Sequence, residues 1–181
     1  MVGTLDSQII KKFKEFQTET NQYNDLNIED VKFKNIPLEK IANFPSLSYT
    51  YGKVDLTIDE YKQLNLKEKE NYYPLVGASL ENNQISGYVF KDRLTENSLS
   101  NKNVITWTRV DASKFFIQEK EVTINDDSFV MDVNEDFDLK YVKFATNSIL
   151  LSQIYNWGKK ATKSKVRNNS IPIPIGLNDK Y

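Results

Sequence analysis

The chain of 181 residues contains no cysteine and no histidine. It can therefore form no disulfide or zinc finger, and cysteine nucleophiles, Ser-His-Asp triads and histidine metal sites are excluded. The six glycines never cluster and the five prolines are never adjacent. The Gly-rich cofactor loop and Asn/Asp-Pro-Pro-aromatic tetrapeptide of adenine and cytosine-N4 methyltransferases are thus absent. Any catalysis would need carboxylates, lysine, tyrosine or a hard metal ion. Asp126 or Asp127 with Asp138-Leu139-Lys140 superficially fits a metal nuclease, but Asp138 is better explained as a residue that caps a helix. We expect no catalytic residue, no cofactor and no metal ion.

The sequence also lacks long apolar runs. None reaches membrane-spanning length, and residues 1–16 have neither an uninterrupted apolar segment nor a small-residue cleavage site. We therefore expect a cytoplasmic protein with no membrane partner. Hydrophobic residues make up 39% of the chain, including ten Phe and ten Tyr. This is enough apolar area for one packed domain, and the length is small for two.

The charges are balanced in number but segregated along the chain. The 24 basic and 25 acidic residues give a net charge of −1, and only three of the bases are arginine. Residues 119–140 carry eight acids against two lysines, whereas residues 158–167 carry five bases and no acid. One end of the chain could therefore face phosphate, although a basic run in isolation is more often a solvated face.

Hydrophobic periodicity predicts an α+β fold: a twisted β-sheet domain with packed helices and an N-terminal amphipathic helix. That helix spans residues 5–19, and its stripe, which includes Ile9, Phe13 and Phe16, needs a partner helix. A polar connector, residues 20–27, follows. We divide the chain into 1–26 (helix and connector), 27–175 (main domain) and 176–181 (tail).

Alternating or β-branched runs predict the strands, and three- to four-residue spacing predicts the helices. The alternating prolines of the Ile-Pro-Ile-Pro-Ile run confine it to a sheet edge, and Asp138 is expected to cap the long helix. The predicted strands are 31–33, 49–56, 72–76, 85–90, 104–108, 115–118, 129–133 and the extended run 171–175; helical turns or helices are predicted at 36–41, 58–66, 138–155 and within the basic segment.

Several short motifs then occur in a recognisable order: IPLEKI (36–41), YPLVGAS (73–79), NNQISGYV (82–89), VITWTR (104–109), ND before SFV (125–130), FDLKYV (137–142) and SIPIPI (170–175). This order resembles the target recognition domain of the type I restriction-modification specificity subunit, or the equivalent domain of a type IIG restriction enzyme. Order over about residues 30–175 is more specific than any single match.

The resemblance implies a non-catalytic module that recognises one half of a split site in double-stranded DNA. Methylation and cleavage would belong to a partner methyltransferase subunit or a fused methyltransferase-nuclease. The N-terminal helix would be the end of a spacer helix, packing on a second recognition domain or a second copy of the chain. The alternative is a protein- or carbohydrate-interaction domain that uses tyrosines and binds no nucleic acid.

Candidate DNA-binding residues combine base-reading amides with phosphate-binding cations. Arg109 could contact guanine bidentately or pair with Asp111 or Glu119, and the amide loop could instead be a plain turn. Trp107 is assigned to the core, because its strand alternates. The full candidate set is Ser79, Asn82, Asn83, Gln84, Lys91, Arg93, Arg109, Lys114, Lys159, Lys160, Lys163, Lys165 and Arg167.

Overall fold

The computed structural model describes residues 31–109, 114–147 and 159–175, together with positions 11, 14, 15, 17 and 18, which are helical. The predicted partner-packing stripe of Ile9, Phe13 and Phe16 lies outside the described residues. Within the described part, no helix is long and apolar enough to cross a membrane. The division of the chain into helix, main domain and tail stays a prediction.

The described elements alternate irregularly between strands and short helices, which confirms the α+β class. Asn82–Gln84 and Lys91–Arg93 form two 3-10 turns at the ends of one strand. In chain order the strands and helices are β1 (Lys32–Pro37), α1 (Leu38–Ile41), β2 (Ala42–Asn43), α2 (Ile58–Gln63), α3 (Leu66–Lys69), β3 (Tyr72–Val76), β4 (Ile85–Phe90), β5 (Val104–Thr108), β6 (Phe116–Gln118), β7 (Thr123–Ile124), β8 (Ser128–Val133), α4 (Leu139–Ala145), α5 (Lys163–Arg167) and β9 (Ser170–Ile175).

The strands of the described residues form three sheets. The largest has the antiparallel order β2-β8-β5-β6, and a smaller one has the order β4-β3-β7, in which β3 and β7 run parallel. A separate antiparallel ribbon pairs β1 with β9. The proline-rich run therefore lies on an edge strand as predicted, since in this ribbon its only partner is β1.

The central strand β5 is buried on both faces, so it separates two apolar layers. Ile105 and Trp107 face the larger cluster, which includes residues of α1, α4 and α5. Val104 faces the smaller cluster, together with Val76 and Ile124 of the three-stranded sheet. Period-two alternation explains the division, because successive side chains point to opposite faces of a strand. Trp107 is completely buried, which confirms its assignment to the core.

Local hydrogen bonds define the helix ends. Asp138 caps α4 as predicted, since its Oδ1 accepts from the backbone NH of Tyr141 at 2.7 Å. Thr57 opens α2 with a capping box, in which the Thr57 NH donates to the Glu60 carboxylate at 2.7 Å. The Tyr141 hydroxyl then donates to the carbonyl of Pro172 at 2.7 Å, which attaches α4 to the β1-β9 ribbon.

The strands expected at 72–76, 85–90 and 104–108 have those bounds in the structure. The strand expected at 49–56 is wrong. That segment turns at Gly52, whose φ is +91°, and only Leu56 forms a bridge, to Tyr88 of β4. The helix expected at 58–66 ends at Gln63, because Leu64 and Asn65 have extended backbone angles, and Asn65 caps the separate helix α3.

Candidate nucleic-acid interface

Loops that adjoin strands of the two larger sheets meet at one surface of the domain, which we call the loop end. It comprises the loop 77–84 after β3, the turn 125–127 between β7 and β8, Arg109, Lys114 and residues 159–161. The Asn125 NH donates to the Val76 carbonyl at 3.1 Å, and the Arg109 NH donates to the Asp127 carbonyl at 2.8 Å. Residues far apart in the sequence are therefore held at one surface.

The loop 77–84 is closed at its base and polar at its surface. The Gly77 NH donates to the Gln84 carbonyl at 3.0 Å, and the Ser79 hydroxyl accepts from the Glu81 NH at 3.0 Å. A Cβ on Gly77 would lie 1.8 Å from the Ser86 Oγ, so the base excludes a side chain there. Ser79 and Asn82 are exposed and available to a ligand.

Asn83 and Gln84 face the protein. The Asn83 side-chain amide donates to the Ile117 carbonyl at 2.9 Å, although the residue as a whole is exposed. Gln84 is completely buried, and its Oε1 accepts from the Thr106 hydroxyl at 2.9 Å. The prediction that Gln84 contacts a base directly is therefore wrong, because its side-chain amide has no access to the surface. The assignment of Ser79, Asn82 and Asn83 to base contact stays a prediction.

Arg109 lies at the end of β5 with two carboxylates beside it. Its Nε is 2.5 Å from Asp127 Oδ1, and its second terminal nitrogen is 3.9 Å from Asp126 Oδ2. The partners expected from the sequence were Asp111 or Glu119. Glu119 lies at the opposite end of β6, and Asp111 lies outside the described residues. The turn 125–127 thus orients the guanidinium and offsets part of its charge.

The basic segment is attached to the same end through the core. The buried indole NH of Trp107 donates to the Ala161 carbonyl at 3.0 Å, and the Ala161 NH donates to the Arg109 carbonyl at 3.1 Å. Lys159 and Lys160 are exposed immediately before this attachment. Lys114 is exposed just before the start of β6, which lies next to the end of the neighbouring strand β5.

The remaining bases of the segment differ in how freely they reach solvent. Lys165 is exposed, with its ammonium 3.3 Å from the Lys160 carbonyl. The Lys163 ammonium donates to the Pro45 carbonyl at 2.7 Å and to the Ser46 hydroxyl at 3.0 Å, and desolvation lowers the pKa of Lys163. Arg167 pairs with Glu39 of α1 at 3.2 Å. Lys163 and Arg167 therefore bond to other parts of the fold, whereas the exposed Lys165 bonds within its own segment and Lys159 and Lys160 are exposed.

Lys91 and Arg93 lie away from the loop end. They follow β4, so the length of that strand places them about 17 Å from the loop 77–84. The Arg93 guanidinium donates to the carbonyls of Lys53 at 2.7 Å and Tyr51 at 2.8 Å, and it pairs with Asp55 at 3.0 Å. Arg93 thus fastens the segment after Thr50, a role that the sequence did not indicate.

Two strand residues outside the loop end support the loop 77–84, and sequence reasoning missed them. Thr106 and Gln118 lie on β5 and β6 and connect to the loop 77–84 through buried hydrogen bonds. Nothing in their local sequence separates them from ordinary strand residues. The Asn125-Asp126 pair is part of the motif order found in the sequence, and the structure gives it a role in the turn 125–127. Asn125 Oδ1 accepts from the Ser128 hydroxyl at 2.8 Å and so shapes the turn that bonds to Arg109.

Comparison with known protein families identifies the family of this chain. Residues 56–180 match the type I restriction modification DNA specificity domain, which is more than half of the chain. The chain belongs to this family. Family members are DNA-recognition modules of type I restriction-modification systems, and the specificity subunits are generally non-catalytic. No curated protein matches the chain significantly.

Solved structures support the same fold for this specificity domain. The type I S subunit from M. genitalium is similar with a TM-score of 0.56 and 14% identity, over 86% of this chain and 37% of that one. The specificity subunit from Thermoanaerobacter tengcongensis is similar with a TM-score of 0.55 and 9% identity, over 92% of this chain and 42% of that one. A chain from a structure that describes the assembly and conformational transition of the type I restriction-modification system is similar with a TM-score of 0.57 and 8% identity, over 96% of this chain and 43% of that one. The specificity domain therefore spans less than half the length of these three chains.

Proposed function

We propose that this domain recognises one half of a split site in double-stranded DNA and that the loop end is its DNA-binding surface. The observation that carries the proposal is the juxtaposition at one end of exposed polar loop residues and exposed cations. Ser79 and Asn82 supply hydrogen-bonding groups for base edges, while Lys159 and Lys160 supply charge for phosphates.

The proposal includes partners for the chemistry. Among the described residues, no group of three or more acidic side chains is placed to hold a metal ion. Methylation and cleavage are assigned to a methyltransferase subunit and a nuclease, with this domain as the non-catalytic component that directs them to their site. Because these partners act on cellular DNA, the proposal places the domain in the cytoplasm. A second recognition domain or a second copy would pack on the N-terminal helix.

The cations divide into two classes under this proposal. Lys159, Lys160 and Lys165 contact phosphates, because their ammonium groups are exposed on one segment. Lys163 and Arg167 support that segment through the carbonyl of Pro45 and the carboxylate of Glu39. Arg109 is bonded to the turn 125–127, which itself bonds to Val76 before the loop 77–84, so we assign Arg109 and the exposed Lys114 to the DNA beside the bases. Lys91 and Arg93 are left outside this surface.

The test is selection from a pool of randomised duplex DNA at two salt concentrations, with and without a methyltransferase partner. We expect enrichment of one short motif and steep weakening of binding by salt. The combined variant Lys159→Gln, Lys160→Gln and Lys165→Gln should reduce the slope of log K against log salt by about 2.7, at about 0.9 for each phosphate contact. The same change at three exposed lysines elsewhere, Lys53, Lys62 and Lys67, is the matched control and should leave the slope unchanged.

A protein- or carbohydrate-interaction domain is the competing function. Its supporting observation is the exposed pair Tyr49 and Tyr51, whose rings lie edge to face at 6.1 Å. A tyrosine-lined site would barely respond to salt, because its contacts are mostly uncharged. Absence of an enriched DNA motif, together with salt-independent behaviour even when the methyltransferase is present, would favour this function and contradict ours.

A further inference from the structure

The end of the loop 77–84 has an unusual backbone. Asn82, Asn83 and Gln84 all have positive φ, at 50°, 54° and 68°. Asparagine tolerates this left-handed region because its short side chain bonds locally, whereas glutamine has no such preference. Three consecutive non-glycine residues in this region need support from the surrounding structure.

That support is a chain of buried amide and hydroxyl groups. The Gln118 amide nitrogen donates to the Asn83 carbonyl at 2.9 Å and to the Thr106 hydroxyl at 2.9 Å. The Thr106 hydroxyl donates onward to Gln84 Oε1 at 2.9 Å, and the Asn83 amide donates back to Gln118 Oε1 at 3.2 Å. Thr106, Gln118 and Gln84 are all buried, so no solvent competes for these bonds.

The network does not maximise stability. In the described part of the chain, the buried Nε2 of Gln84 has no hydrogen-bond partner. A buried donor without a partner loses its hydration and gains nothing in return, which offsets part of the stability that the bond from Thr106 to Gln84 Oε1 contributes. What Gln84 does provide is an acceptor that connects the left-handed turn to Thr106 on the central strand.

We propose that Gln84, Thr106 and Gln118 are positioning residues for DNA recognition: they set the base selectivity of the loop 77–84 without touching DNA. This inference rests on the proposed function of the loop end. The network holds the turn in one conformation and thereby fixes where the exposed side chain of Asn82 points. Base discrimination through hydrogen bonds depends on such fixed geometry, because a displaced amide no longer matches its base edge.

The experiment compares base preferences of full-length variants, with the methyltransferase present where the wild-type chain requires it. Thr106→Val removes the central hydroxyl with almost no change in shape, and we expect discrimination at the bases read by the loop to fall about tenfold. Thr106→Ser keeps the hydroxyl and should retain the preference. Thr123→Val is the matched control, because it removes another buried hydroxyl, bonded to Thr50, outside the network.

Gln84→Met separates positioning from stability. It keeps the volume and removes two groups with opposite effects on stability, the Nε2 donor that lacks a partner and the Oε1 acceptor of the Thr106 hydroxyl. We therefore expect a melting temperature close to that of the wild type, with weakened base discrimination. If Thr106→Val and Gln84→Met select the wild-type motif with wild-type preference, the inference is wrong although the proposed function stands. If the wild-type chain selects no motif, both the proposed function and this inference are overturned.

Discussion

Trp107 connects the core to the basic segment, so its replacement should affect both stability and DNA binding. Its indole NH donates to the Ala161 carbonyl at 3.0 Å, and its ring packs against Phe129 and Phe115 with centroids 5.3 Å and 5.7 Å away. Trp107→Phe removes this hydrogen bond and leaves the buried carbonyl of Ala161 without it, which costs about 1–2 kcal/mol. The lost ring atoms and the cavity add about 2 kcal/mol.

We therefore expect Trp107→Phe to lower the free energy of unfolding by about 3–4 kcal/mol, measured by urea denaturation followed by far-ultraviolet circular dichroism. Phe115→Leu is the control, because it loses packing against the same indole but no hydrogen bond to Ala161. Under conditions where the variant is folded, its DNA affinity should also fall, since residues 159–161 lose their attachment. A stability loss below about 1 kcal/mol would refute the buried indole bond.

Two further predictions concern parts of the fold remote from the loop end. Hydrogen bonds from Thr57 lower the pKa of Glu60 below its usual 4.5. The ionised carboxylate therefore stabilises the native state above pH 4.5, and this contribution is lost as the pH falls through the folded-state pKa. The urea midpoints of the wild type and Glu60→Gln should differ at neutral pH and converge once the pH is below that folded-state pKa. Gly87 has φ +156°, and a Cβ there would lie 2.7 Å from the Leu56 carbonyl oxygen. We expect Gly87→Ala to lower the free energy of unfolding by at least about 2 kcal/mol. Gly52→Ala is the control and should cost less, because a Cβ on Gly52 would lie 3.4 Å from the Arg93 guanidinium. Equal losses of stability in the two variants would contradict the close approach of Leu56 to β4.

Local patterns predicted the elements whose bounds depend mainly on their own side chains. Strands 72–76, 85–90 and 104–108 are bounded by turn residues and contain β-branched or aromatic residues, and the structure confirms these limits. Asp138 was expected to cap α4 for the same local reason, and it does. The segment 49–56 has the composition of a strand, but its hydrogen bonds go to other partners. The Thr50 NH donates to the Ile124 carbonyl, and Asp55 and Leu56 both donate to the Tyr88 carbonyl, so the segment joins two different strands at its two ends.

The candidate site was less predictable, because whether a polar residue is available depends on contacts that are distant in the sequence. Gln84 and Asn82 are both amides of one loop, yet Gln84 is buried against β5 while Asn82 is exposed. Lys163 and Lys165 lie two residues apart, yet only Lys163 reaches the carbonyl of Pro45. Helical geometry accounts for this difference, since successive side chains on α5 point in different directions.

The sequence by itself determined the family, the α+β class and most strand positions, because these depend on the order of short motifs and on local periodicity. It also excluded chemistry based on cysteine or histidine. Only the tertiary structure decided which polar groups lie exposed at the loop end and which form hydrogen bonds or ion pairs within the protein. Arg93 turns to Tyr51, and Arg109 turns to Asp127, because the register of the sheets brings these distant residues together. That register arises from packing on both faces of β5, which no single segment encodes.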